Sequence, residues 1–153
     1  MNLVRDMRVD DTNGDAETEV NGWVYDSVSG FWFRGGVRFR RLRGTVFEVF
    51  DYGEYESLNV VGRVVVDVGA YIGDSAIYFA LKGARKVIAI EPHPGAFAEM
   101  LDNIRLNNLE DIITPINAGL ASKPGKICIE NVDLDATVVT YHRQVIVTVV
   151  SQP

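Results

Sequence analysis

Two acids, Asp67 and Glu91, stand 24 residues apart, each at the end of an apolar run. The first run reads Val64-Val65-Val66-Asp67-Val68-Gly69-Ala70-Tyr71-Ile72-Gly73-Asp74-Ser75, and the second Lys86-Val87-Ile88-Ala89-Ile90-Glu91. An acid closing a buried strand needs hydrogen-bonding partners, and loop amides supply them at Asp67. An acid at the end of the second strand of a doubly wound fold accepts hydrogen bonds from a ribose diol, and Glu91 has that place. Gly69 and Gly73 permit a tight turn and close approach of a ligand to the backbone. The loop is not Gly-x-Gly-x-x-Gly, because Ala70-Tyr71-Ile72 leaves no third small position for a pyrophosphate. That disfavours a dinucleotide, and with it an NAD-dependent oxidoreductase. A nucleoside without phosphate fits better. S-adenosylmethionine has that form, with adenosine for the acid and a charged amino-acid end for the loop.

Positioning these groups requires a strand, a turn and a helix, twice over. Val64–Val68 suits a parallel strand buried on both faces. Asp74 or Ser75 is placed to cap a helix over Ala76–Leu81, which Gly83 ends. Lys86–Ile90 is the second strand, and Pro92 and Pro94 break the chain after Glu91. A helical apolar stripe then runs from Gly95 to Asn108. Ile112–Asn117 is the third strand, and its carboxyl end brings Asn117, Ala118 and Gly119 to where an adenine would rest. Asn117 is a candidate partner for the ring amine. Gly119 either leaves room for the ring or simply turns the chain. Tyr71 either covers the methionine end of the cofactor or packs. His93 is a candidate proton acceptor or an exposed loop histidine.

These blocks resemble a known family. Val66–Phe79 and Val87–Pro94 are similar to the first two motifs of FkbM-type methyltransferases, a branch of the class I S-adenosylmethionine-dependent enzymes. The likeness continues through Asn103–Leu109 and Asn117–Leu120 and covers roughly residues 45–130. It implies a Rossmann-like α/β fold with a parallel βαβαβ core in strand order 3-2-1. It implies S-adenosylmethionine as cofactor, S-adenosylhomocysteine as product, and Asp67, Gly69, Ala70, Tyr71, Gly73, Asp74, Ser75, Glu91, Pro92, Asn117, Ala118 and Gly119 as the cofactor-binding set. It also implies O-methylation of a small acceptor such as a sugar or a natural-product hydroxyl. The chain ends before the Lys-Ile-Asp-x-Glu-Gly type motif that family members carry on the strand beside the first. The alternative is therefore a truncated module that binds the cofactor with little or no catalysis.

The flanking segments divide the chain into residues 1–21, 22–61 and 62–153. The first is polar and acidic and reads as a flexible arm. Its run Asp10-Asp11-Thr12-Asn13-Gly14-Asp15 lacks the spacing of a calcium loop. Gly22 to Phe50 reads as antiparallel hairpins, including Thr45–Phe50. Arg38, Arg40, Arg41 and Arg43 form either an anionic-substrate patch or an exposed face paired with glutamates. Tyr55 is a candidate cover for the cofactor. The tail holds three strand-like runs, 126–129, 137–141 and 145–150. The last is an association hazard unless covered, so pairing with the first strand or a homodimer through these strands is expected.

Composition bounds the rest. The 153 residues carry a formal charge of −6, which argues against nonspecific binding to nucleic acid or an anionic membrane, and no nucleic-acid partner is expected beside the small-molecule acceptor that the resemblance implies. Cys128 is the single cysteine, and neither it nor His93 and His142 suggests a metal site. No signal peptide or membrane span is evident, so a cytoplasmic protein is expected.

Overall fold

The computed structural model describes residues 18–120 and 148–150. Four strands, β1 (Glu19–Val20), β2 (Trp23–Asp26), β3 (Phe31–Arg34) and β4 (Val37–Phe39), form an antiparallel sheet in sequential order. Residues 1–17 lie outside the described residues. Glu19–Val20, expected within the acidic arm, pairs with β2 instead.

Thr45–Phe50, expected as a strand, belongs to helix α1 (Gly44–Phe50). Its β-branched and aromatic residues suggest a strand. Its apolar spacing is helical, however: Val46 and Val49 are fully buried, and Phe50 follows one residue on.

The second sheet contains β5 (Val64–Val68), β6 (Lys86–Ile90) and β7 (Ile113–Ile116), all parallel. Helix α2 (Asp74–Leu81) connects the first two strands and α3 (Pro94–Leu106) the next two. The order β7-β6-β5 is the expected 3-2-1 half of a Rossmann-like class I fold. The other edge of β5 carries β8 (Thr148–Val150), antiparallel, with Val65 opposite Val149. This short strand lies in the run expected to fill that edge, and it does so within the same chain. The runs at 126–129 and 137–141 fall outside the described residues.

One hydrophobic core joins the two sheets. Trp23 of β2 packs edge-on against Phe39 and Phe50, at centroid distances of 5.7 and 5.9 Å. Phe50 in turn meets Tyr78 of α2 at 5.6 Å. Tyr55 packs on Phe79 at 5.0 Å, so its ring is part of this aromatic core. Among the described residues, no helix is long and apolar enough to cross a membrane, and no cluster of His, Cys, Asp and Glu could hold a metal.

Candidate functional site

The glycine loop leaves β5 at its carboxyl end and is folded back onto β6. The amides of Gly69 and Ala70 both donate to the Ile90 carbonyl, at 2.8 and 3.1 Å. Gly69, Tyr71 and Gly73 have φ of 78°, 49° and 86°, so three residues of this five-residue loop are left-handed. For tyrosine that conformation is strained and must be held by its surroundings. The clamp is Glu91, whose Oε2 accepts the Tyr71 amide at 2.9 Å.

The two glycines serve different purposes. A Cβ on Gly73 would stand 2.9 Å from Met100 Cγ, so this glycine lets α3 pack against the loop. A Cβ on Gly69 would meet no protein atom within 4 Å. The space beside Gly69 is open.

Asp67 is fully buried at the end of β5 and accepts the Ser75 hydroxyl at 2.6 Å through Oδ2. It ties the strand end to the first turn of α2. Gly73 is the residue capping α2, with no side-chain cap bond, so neither Asp74 nor Ser75 caps in the way expected. Asp74, in the first turn, instead accepts the Ser75 amide at 2.9 Å. Its negative charge there suits the positive end of the helix dipole.

Glu91 is 6% exposed. Its Oε1 accepts the His93 amide at 2.7 Å, so each carboxylate oxygen takes one backbone N–H and keeps a lone pair for another donor. His93 caps α3: its Nδ1 accepts the amides of Gly95 and Ala96 at 3.1 and 3.2 Å. A ring nitrogen accepting two N–H groups carries no proton, so in the neutral ring the proton sits on Nε2. The nitrogen that would act as a base is occupied by the helix. Asn117 donates through Nδ2 to the carbonyls of Glu91 and Pro92, at 2.8 and 3.3 Å. This bridge brings the end of β7 beside the end of β6, with Ala118 and Gly119 following.

The structure thus gathers the expected residues at the carboxyl ends of β5, β6 and β7. Sequence reasoning missed the second layer of support. Asn103 of α3 is fully buried, donates to the Ile72 carbonyl at 2.9 Å and accepts the Arg40 amide at the same distance. Arg43 makes a bidentate pair with Glu99 and lies 5.7 Å over the Tyr71 ring. A polar residue on the apolar stripe of α3, such as Asn103, was the available signal.

These features fit a nucleoside cofactor: an open backbone cradle at Gly69, and an acid at the end of the second strand with acceptor capacity remaining. Nothing in the loop supplies the third small residue a pyrophosphate needs.

Comparison with known proteins agrees about the cofactor and corrects the family and the acceptor. Residues 54–146 match the family model described as the TRM5/TYW2 methyltransferase domain. A ribosomal protein L11 methyltransferase of Carboxydothermus hydrogenoformans is 48% identical over 59 residues, covering 39% of this chain and 19% of the relative. A tRNA(Phe) (4-demethylwyosine(37)-C(7)) aminocarboxypropyltransferase of Pyrococcus horikoshii is 39% identical over 64 residues, covering 42% and 23%. A solved structure of Methanocaldococcus jannaschii Trm5 with adenosine has a TM-score of 0.38 and 25% identity, over 69% of this chain and 31% of that one. The matched stretch is about a fifth of the length of these curated relatives.

The FkbM assignment is overturned by the family match. The motifs that suggest it belong to the cofactor loop, whose chemistry methyltransferases with different acceptors share. A small-molecule acceptor and the exclusion of nucleic acid are overturned as well, by the family and by a relative named for tRNA(Phe). The net charge misleads because it averages unlike segments. Residues 1–17 contain five acids against Arg5 and Arg8, residues 18–43 five arginines against Glu19 and Asp26, and residues 44–153 fourteen acids against eight lysines and arginines.

Proposed function

The chain belongs to the TRM5/TYW2 methyltransferase domain family, whose cofactor is S-adenosylmethionine, and from that premise we propose that it methylates RNA of the tRNA class. The observation that carries this reading is the family match across the whole cofactor half, residues 54–146, together with a loop built for a nucleoside.

When bound, the cofactor supplies a methyl group already activated by its sulfonium. The work left to the protein is alignment of acceptor, methyl and sulfur and exclusion of water. Glu91 would hold the ribose hydroxyls through the lone pairs that Tyr71 and His93 leave available. Gly69 would let the amino-acid end lie against the backbone. Asp67, being fully buried, acts through Ser75 by fixing the strand end and the start of α2. Asn117 holds the β6 and β7 ends together where the adenine would rest.

The 48% identity to an L11 methyltransferase favours a second reading, in which the acceptor is a ribosomal protein. Methyl-labelled S-adenosylmethionine, offered with unmodified tRNA and with ribosomal protein in parallel, separates the two. Label in the RNA is expected. Label only in protein would replace the first reading with the second, and mass analysis of the product would reveal transfer of an aminocarboxypropyl group instead of methyl.

A further inference from the structure

The antiparallel sheet and α3 border an open concavity of about 810 Å³ that the glycine loop does not line. Tyr25 and Trp32, paired across β2 and β3 with centroids 5.4 Å apart, form part of its wall. Arg40 and Arg41 line it beside them, with Gly95 and Asp102 of α3 opposite. Its two acids are matched within the fold: Glu99 is paired with Arg43, and Asp102 with Arg105. The surrounding segment, residues 18–43, is cationic within an acidic chain.

We propose that this groove receives an unpaired stretch of the RNA acceptor, with a base against Tyr25 and Trp32 and a backbone phosphate on Arg40. The inference rests on the RNA reading above and adds the surface that would carry it. Aromatic side chains hold any base by its π-face, and arginine pairs with phosphate in a planar fork. Half-buried aromatics beside an exposed arginine are the combination a single strand requires, while a protein segment would gain little from the cationic surroundings.

The groove is also joined to the cofactor loop. Gly95, which lines it, donates to His93 Nδ1, and the His93 amide donates to Glu91 Oε1. These bonds place one wall of the groove in the same loop that holds Glu91.

Anisotropy of a fluorescent single-stranded RNA oligonucleotide tests the proposal, using the full chain, Arg40→Glu, Trp32→Leu and Arg85→Glu. Arg85 is exposed beside the amino end of β6, so its reversal matches the charge change of Arg40→Glu away from the groove. Arg40→Glu should weaken RNA binding about ten-fold and reduce the salt slope by about 0.7 for each phosphate no longer neutralised. Trp32→Leu should weaken it roughly five-fold or more, the low end for one stacked base. Arg85→Glu should change it by less than about two-fold, and all variants should bind S-adenosylhomocysteine as the parent does. Should Trp32→Leu fail to bind the cofactor product, Arg40→Glu decides alone. Equal losses from Arg40→Glu and Arg85→Glu would overturn the groove while leaving the RNA acceptor standing. A parent chain that binds no RNA, or prefers an acidic peptide through Arg40, would overturn both.

Discussion

The two sheets are organised on opposite principles. The parallel sheet is held by its own backbone: Gly69 and Ala70 bond Ile90, Glu91 bonds Ile116, and side chains such as Asp67 and Glu91 bind nearby amides and hydroxyls. The antiparallel sheet has its own ladder but is anchored to the rest by side chains of its neighbours. Asn103 of α3 and Asn107, the residue that ends it, grip the backbone of β4 and the residue after it, and Trp23 inserts into a core completed by α1 and α2. A site built from backbone can strain one tyrosine without collapsing. A sheet docked through side chains depends on its neighbours, and shares their stability.

The largest test of that dependence is Trp23→Ala. It should cost about 3–5 kcal/mol by denaturant unfolding, the usual range for a buried tryptophan. Because the core is continuous, binding of S-adenosylhomocysteine and the near-ultraviolet signal should be lost in one transition. Two transitions, with the cofactor half surviving the first, would mean the sheets fold independently.

The glycine pair offers a finer comparison inside the loop. Gly73→Ala should destabilise by roughly 2–3 kcal/mol, through overpacking against Met100 and a left-handed backbone. Gly69→Ala carries only the backbone strain, about 1–2 kcal/mol. Under the proposed cofactor placement it should nevertheless reduce S-adenosylhomocysteine affinity at least about ten-fold, because the added methyl enters the open space beside Gly69. Equal effects of the two substitutions on binding would remove the distinction drawn between them. Calorimetric titration and thermal melts on the same samples settle it.

Glu91→Ala should weaken S-adenosylhomocysteine binding by about 1.5–3 kcal/mol, the size of a lost hydrogen bond to a charged group. It should also release the Tyr71 amide, so the loop becomes easier to cleave by protease. Unchanged affinity would show that Glu91 is only a clamp.

The smallest effect belongs to the exposed turn between β2 and β3. The Ser29 hydroxyl and then the Val28 amide hold the Asp26 carboxyl below its ordinary range. A depressed folded-state pKa contributes stability above the unfolded value and loses it as pH falls. The turn's contribution should stay constant from pH 7 to about 4 and fade below that, and Asp26→Asn should flatten this slight acid dependence. A steeper loss for the variant would contradict the assignment.

The parallel half was legible because its signals are local. The β-branched run into Asp67, the spacing to Glu91 and the glycine loop each fix a backbone feature without reference to the rest of the chain. The strand limits at Val64–Val68 and Lys86–Ile90 follow directly. The remainder depends on residues far apart in sequence. Thr45–Phe50 has strand-like composition, yet packing of Val46 and Val49 makes it a helix. His93 reads as a base or a bystander, although its position before a proline that opens a helix is a capping signal. The basic segment is hidden because the acidic excess of residues 44–153 dominates the overall charge.

Asn107 has one further consequence. Its side-chain amide donates to the Arg38 carbonyl at 2.7 Å and its Oδ1 accepts the Arg38 amide at 2.9 Å. A single side chain thereby imitates a neighbouring strand at the edge where, among the described residues, β4 has none. An edge satisfied this way cannot recruit a foreign strand. The same asparagine that docks the sheet thus protects the chain from polymerising along that edge.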